Sequence, residues 1–258
     1  METLTGEFYT VIPHRIGRTR QAVAEAVITS LEDFAQKQET LQLMEDMLQV
    51  NGDGEEAVLF NQEVDSQYLS LKTSIDLLGS STKEYKKLEK QIISSQIKTK
   101  SVQIKRIFKV VRPGEDKVFT HDIGNQQLMY HGSRIQNWVG LISRGILLPK
   151  VVVKLGVNRT DAGWLGNGIY FGDAACTSTF YTTAGSKKTR IMAVCNVALG
   201  KMKDYRKITY GITEPPAGFD SCHGVRNRLT KRSEFQDDEY VIYNQNQQRM
   251  DYLVEFTA

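Results

Sequence analysis

Three short stretches carry residues suited to polar chemistry. His131-Gly132-Ser133 closes an apolar run that begins at Leu128. Glycine lets a ligand approach the main chain, where N–H and C=O can pair with a planar amide. Serine adds a hydroxyl, and histidine a donor for a sugar hydroxyl. The same tripeptide also suits an ordinary turn. Tyr170 follows the glycine-rich entry Gly163-Trp164-Leu165-Gly166-Asn167-Gly168-Ile169, and Ser178 and Tyr181 come eight and eleven residues after it. Three apart, Ser178 and Tyr181 share a face of any helix. An aromatic ring and a hydroxyl on one side of a pocket suit a flat aromatic amide, by stacking plus one hydrogen bond. A core tyrosine with a capping serine is the alternative. Last, Gln236-Asp237-Asp238-Glu239 leads straight into Tyr240-Val241-Ile242-Tyr243. A carboxylate held on a rigid strand near a ribose hydroxyl stabilises positive charge developing at the anomeric carbon. An exposed strand end accounts for the same residues.

Other chemistries find less support. The glycines around Trp164 are misplaced for a dinucleotide-binding GxGxxG, and no βαβ unit surrounds them. His14, His121 and His223 are scattered, so they read as structural or exposed, and no metal-ligand cluster accompanies them. The three cysteines, Cys176, Cys195 and Cys222, are odd in number and form no CxxC pair. A disulfide framework or structural zinc site is not expected, and a reducing compartment fits best. With 33 basic and 30 acidic residues, the net charge of +3 gives no nucleic-acid footprint. Lys98, Lys100, Lys105, Arg106, Lys109 and Arg112 read as one solvated strand face, since no aromatic interleaving accompanies them. The N-terminus lacks the continuous apolar stretch of a secretory signal. No window approaches 18 apolar residues, so no membrane span is expected.

The elements that must position these residues fall into two groups. Across the 258 residues, 40% hydrophobic and 24% charged composition predicts a packed protein. Residues 21–97 have helical periodicity. Val23, Val27, Leu31 and Phe34 step by four, four and three, and Leu41, Met44 and Leu48 continue a similar stripe. Asn51-Gly52-Asp53-Gly54 is a stop, and Glu55 to Phe60 suits a short helix. Tyr68, Leu71, Ile75 and Leu78 form another helical face, ended by Gly79-Ser80-Ser81. Thr82 is an N-cap for a last helix through about Ile93. After Lys98 the period becomes two. Val102, Ile104, Phe108 and Val110 alternate, with Arg106 as the mismatch. Strand-like runs follow at 127–130, at Tyr170, at 191–197, 240–243 and 252–256, with short helices expected at 138–143 and around 174–181. Helices first and strands later predict an α+β protein with a boundary near residue 98.

Taken together, these motifs resemble the catalytic domain of the poly(ADP-ribose) polymerase family. The marks are MYHGSR (129–134), GNGIYF (166–171), CTSTFY (176–181), VALGKM (197–202) and DDEYVIY (237–243), in that family's order. FYTVIPH (8–14) and the helices to residue 98 are similar to the later part of its helical regulatory subdomain, whose first helices have no counterpart before Phe8. EPPAGFDSCHGV (214–225) is most like the vault-associated branch. The resemblance implies an ADP-ribosyltransferase fold of two packed, antiparallel-rich sheets (99–258), preceded by a partial all-α subdomain (1–98). It implies NAD+ as substrate, with no metal, and transfer of ADP-ribose to protein acceptors, with the protein itself a candidate, and elongation of the chain. Mono-ADP-ribosyl transfer and a non-catalytic binding module are the alternatives. His131, Tyr170 and Glu239 fall on the family's catalytic triad. His131 would contact the adenosine-side ribose, and Gly132 would bind the carboxamide through its backbone, next to Ser133. Ser178 would add a hydroxyl, Tyr181 would stack on the nicotinamide, and Tyr170 would wall the other side. Glu239 would bond the nicotinamide-ribose 2′-hydroxyl and polarise the acceptor. The segment from Leu148 to Gly163 corresponds to the loop bordering the NAD+ site, where Arg159 is a candidate for the diphosphate or a plain surface arginine. Thr177 stands where several members carry a basic residue, and Asp237 where they carry a tyrosine. A monomer inside the cell, nuclear or cytoplasmic, is expected, without support for DNA binding.

Overall fold

A computed structural model describes residues 27–30, 34, 37, 64–97, 102–148, 163–230 and 232–258. Apart from isolated positions, the helices expected over 21–60 lie outside the described residues, as does Arg159 with most of its loop. The first described helix, α1 (Val64–Ser70), does not continue through Leu78. Lys72 takes a φ of 51° and ends it, and Ser74–Leu77 follows as strand β1. The single helical face expected through Tyr68, Leu71, Ile75 and Leu78 is therefore a helix followed by an edge strand. The cause is tertiary. Ser74–Leu77 pairs antiparallel with β2 (Gln103–Val111), and ladder hydrogen bonds override a local period.

Helix α2 (Lys83–Ser95) begins where its cap predicts. Thr82 Oγ1 accepts the Tyr85 N–H at 3.1 Å. Tyr85, Leu88 and Ile92 form the buried face, packed with Tyr130, Val254 and Phe256. Gln96 then turns the chain, its Oε1 accepting the Val102 N–H at 2.9 Å. In β2 the mismatch at Arg106 is a β-bulge. The register against the last strand slips between Ile104 and Arg106. Val102, Ile104 and Ile107 consequently join one buried cluster, while Phe108 and Val110 join another on the opposite face.

After β2 come α3 (Glu115–Val118), β3 (Gln126–Gly132), α4 (Trp138–Arg144), β4 (Ile169–Gly172), α5 (Ala175–Thr179), β5 (Arg190–Ala198), β6 (Met202–Tyr205), β7 (Ser221–Gly224), β8 (Glu239–Ile242) and β9 (Gln248–Thr257). Helix α4 buries Trp138 and Ile142 and stops at Gly145, whose φ of 82° suits glycine. The strands form one sheet in the order β1-β2-β9-β5-β3-β4-β8-β7-β6. All neighbours are antiparallel except β6 and β7.

The mixed α+β class is as expected, but two separate packed sheets are not what forms. The β1-to-β3 half and the β4-to-β6 half join through a single residue pair, Tyr130 opposite Gly172. One buried cluster draws on both halves, with Met129, Ala193, Cys195 and Leu253 from the first and Ile169, Phe171 and Ile242 from the second. The shared core and the narrow join make the halves one ladder. Cys176, Cys195 and Cys222 are buried free thiols. Thr82→Ala removes the α2 cap and should cost about 1 kcal/mol in urea unfolding without changing the m-value.

Candidate active site

Strand register brings the separated motifs together. On β4, Gly172 lies opposite Tyr130 of β3 on one side and Glu239 of β8 on the other. Across β8, Glu239 faces Gly224 of β7. Paired residues share a face of a sheet, so the Glu239 side chain rises in a lane with a glycine on each flank. The space over those glycines is filled from outside the sheet. A Cβ at Gly172 would lie 3.5 Å from Thr177 Cβ and 3.7 Å from Ser178 Oγ, and one at Gly224 would meet the Phe235 ring at 2.7 Å. Glu239 therefore stands between α5 and Phe235.

Gly132 completes the same face. A Cβ there would fall 2.0 Å from the Ser178 carbonyl oxygen, so only glycine lets α5 sit this close to β3. Tyr170, two residues before Gly172, shares the face by alternation. Its hydroxyl donates to Gly166 O at 2.9 Å and accepts the Leu165 N–H at 2.8 Å. Those bonds tie the ring to its own entry loop and leave it as a wall. Tyr243 locks the loop further by donating to Leu165 O at 2.5 Å, and Gly166 is needed there, with φ +77° and a built Cβ 2.0 Å from Ile212 O.

His131 is placed differently. The β3–β4 register is the Tyr130–Gly172 pair alone. One residue on, the His131 imidazole contacts the Tyr170 backbone oxygen, with Nδ1 2.9 Å away. A carbonyl only accepts, so Nδ1 carries a proton and donates it to Tyr170 O. One of the two ring nitrogens is thus engaged with Tyr170. Phe171 lies beside the imidazole, ring centroids 5.7 Å apart.

The remaining predicted residues divide. Ser178 is buried, whereas Tyr181 is 37% exposed. Helix α5 ends at Thr179, so the shared helical face expected for these two is a short helix followed by a turn, with the Tyr181 N–H on Ser178 O at 3.3 Å. Ser133 Oγ accepts from Asn137 Nδ2 at 3.0 Å, which engages part of its hydrogen-bonding capacity in the turn before α4. Thr177 is buried, and its Oγ1 has no hydrogen-bond partner among the described residues.

Sequence reasoning missed what lies behind Glu239. His223, expected to be structural or exposed, is central to a charged network on the reverse face. Its Nδ1 is 2.9 Å from Asp204 Oδ1 and its Nε2 3.0 Å from Asp238 Oδ1. Carboxylates only accept, so both nitrogens carry protons and the ring is an imidazolium. Burial opposes that charge, but the bonds to Asp238 and Asp204 outweigh it and raise the His223 pKa. Burial likewise pushes the Asp238 carboxyl up, yet His223, the Arg226 N–H and the Arg226 charge bring it down to about 2. Arg226 also lies 3.4 Å from Asp173 and 3.8 Å from Asp237, linking the end of β4 to the start of β8. Burial raises the Asp173 pKa, with Asp238 adding to it and Arg226 opposing. No spacing signals this network, because 15 residues separate His223 from Asp238 and only the sheet register joins them.

A mixed α+β domain with one carboxylate in a glycine-flanked lane, beside a tyrosine wall, is the class of protein the fold and site define. The family description "Poly(ADP-ribose) polymerase catalytic domain" matches residues 82–233. The chain belongs to this family. It is 38% identical over 259 residues to Protein mono-ADP-ribosyltransferase PARP4 of Mus musculus, covering 99% of this chain and 13% of that protein. The human counterpart, of the same name, is 36% identical over 260 residues, covering 100% of this chain and 14% of that protein. Poly [ADP-ribose] polymerase 2-B of Oryza sativa subsp. japonica is 27% identical over 291 residues, covering 98% of this chain and 46% of that protein. The chain thus spans a small part of the first two relatives.

Two measurements check this geometry. Gly132→Ala should destabilise the protein by roughly 1–3 kcal/mol in urea melts, because the methyl group meets backbone. The His223 ion pairs should make stability depend on pH. Their contribution is complete below pH 6.5, the ordinary value, and is lost as pH rises through the elevated pKa. The stability gap between wild type and His223→Gln should therefore shrink as pH rises above 6.5.

Proposed function

We propose that the chain is an NAD+-dependent protein ADP-ribosyltransferase. The reading is carried by the convergence of Gly132, Tyr170, Ser178 and Glu239 on one face of the sheet, with His131 beside them. The Gly132 backbone and the Ser178 hydroxyl hold the nicotinamide carboxamide, between the Tyr170 ring and Tyr181. His131 takes the adenosine-side ribose, and Ser133 lines the same end. The bond from nicotinamide nitrogen to the anomeric carbon breaks, and its electron pair leaves with nicotinamide. The ribose is left with oxocarbenium character, and Glu239, bonded to its 2′-hydroxyl, stabilises that charge. An acceptor nucleophile then bonds to the anomeric carbon and loses its proton. Orientation and one carboxylate supply this chemistry, so no metal is required.

The acceptors are proteins, with the chain itself a candidate. Retention of Glu239 beside His131 and Tyr170 supports elongation into poly(ADP-ribose). A second reading, transfer of a single unit, has its own support. Asp237 lies two residues before Glu239 and on its side of the strand, where a polyanionic chain end would meet a carboxylate, and Thr177 supplies no cation. Two relatives carry mono-ADP-ribosyltransferase names. No helix among the described residues is long and apolar enough to cross a membrane. A monomer working in a reducing compartment, nuclear or cytoplasmic, fits the three buried thiols. The proposed division into a helical part (1–98) and a catalytic part (99–258) leaves β1 and α2 of the first part packed with the sheet of the second.

Incubation with labelled NAD+ followed by gel electrophoresis separates the readings. A ladder means elongation and one modified band means single transfer. No label and no nicotinamide release would leave a binding module and overturn the proposal. Glu239→Gln should bind NAD+ within about 3-fold of wild type while transfer falls about 10²-fold or more, as expected when a charge-stabilising group is removed.

A further inference from the structure

We propose that His223 is a positioning residue for Glu239, gripping both of its chain neighbours from the reverse face of the sheet. The inference rests on the transferase reading above. The registers place His223 opposite Tyr240 and Gly224 opposite Glu239. Because faces alternate along β8, Asp238 and Tyr240 point away from the side that Glu239 occupies. His223 meets both of them. Its Nε2 bonds Asp238 Oδ1 at 3.0 Å, and its ring stacks on Tyr240, centroids 4.5 Å apart and planes 9° from parallel. The residue before Glu239 and the residue after it are thus held by one imidazolium.

The grip is anchored and buried. Asp204 on β6 accepts from Nδ1, so the ring cannot turn without losing an ion-paired bond. The His223 side chain is 13% exposed and that of Asp238 6%, which keeps water from substituting for either partner. Arg226 adds a second hold on the same carboxylate, its backbone N–H 2.9 Å from Asp238 Oδ1. Glu239 itself is flanked across the sheet by Gly172 and Gly224. The path of the backbone at 238–240 sets where its carboxylate starts. A misplacement of about 1 Å is enough to cost on the order of 10²-fold in rate.

The test compares wild type, His223→Phe, Glu239→Gln and the double variant in NAD+ turnover and NAD+ binding. Phenylalanine keeps the stack on Tyr240 and removes both ion-paired bonds. We expect kcat to fall roughly 10- to 100-fold in H223F while KM for NAD+ stays within about 3-fold, because the proposed substrate contacts other than Glu239 lie on or beside β3, β4 and α5. In the E239Q background H223F should cost nothing further, since its effect passes through the carboxylate. Equal losses in both backgrounds, or a loss confined to KM, would overturn the inference. Should H223F fail to fold, Asp204→Asn serves instead. Asp204 is 65% exposed and holds only the far side of the ring, and D204N should lower kcat several-fold in the wild-type background and not in E239Q. Wild type without turnover sinks the transferase reading itself. An active wild type with a crippled E239Q and normal H223F and D204N sinks only this one.

Discussion

The site depends on one registration, Gly172 of β4 against Glu239 of β8. A slip of a single residue would send the Glu239 carboxylate to the reverse face, among the residues that now surround His223. Its side chain would leave the lane beside α5, and no adjustment of Ser178 or Tyr170 could recover it. The register is held by apolar residues on both faces. Val241 packs with Leu165, Cys222 and Phe235 on one side, and Ile242 packs with Ile169 and Leu199 on the other. Those contacts are what commits β8 to this phase.

Close backbone approach is the second constraint, and it explains where glycine falls. Gly132 admits the Ser178 backbone, Gly166 admits Ile212, and Gly224 admits the Phe235 ring. Each lets another segment of the chain approach closely where a Cβ would collide with it. Tyr170 fits this pattern, since its hydroxyl is held on the 165–166 backbone. A surface built on main chain in this way resists drift, because a backbone amide has no rotamer to lose.

Charge is separated across the thickness of the sheet. The face with Glu239 meets α5 and the Phe235 ring, while the reverse carries an imidazolium, two guanidinium groups and several carboxylates. Paired and partly buried, those charges stiffen the strand ends at β4 and β8 at little net electrostatic gain, which is a common use of buried ion pairs. Rigidity at the strand carrying Glu239 is the return.

Local signals were legible wherever the physics is local. Thr82 announced the start of α2, strand-like runs announced β3, β5, β8 and β9, and the motifs around His131, Tyr170, Ser178 and Glu239 were visible as chemistry and as a family pattern. What failed depended on partners distant in the chain. Ile75 sat on a helical period yet became strand, because β2 offered it a ladder. Arg106 looked like an error in a strand and was a bulge set by the register with β9. His223 looked isolated because Asp204 and Asp238 lie 19 and 15 residues away and reach it only through strand order. The sequence by itself determined which side chains were available and the short-range elements that bear them, since caps and periodicity act within a turn or two. The tertiary structure alone decided which face each side chain occupies and what stands behind it, because pairing register is a cooperative choice made by contacts far apart along the chain.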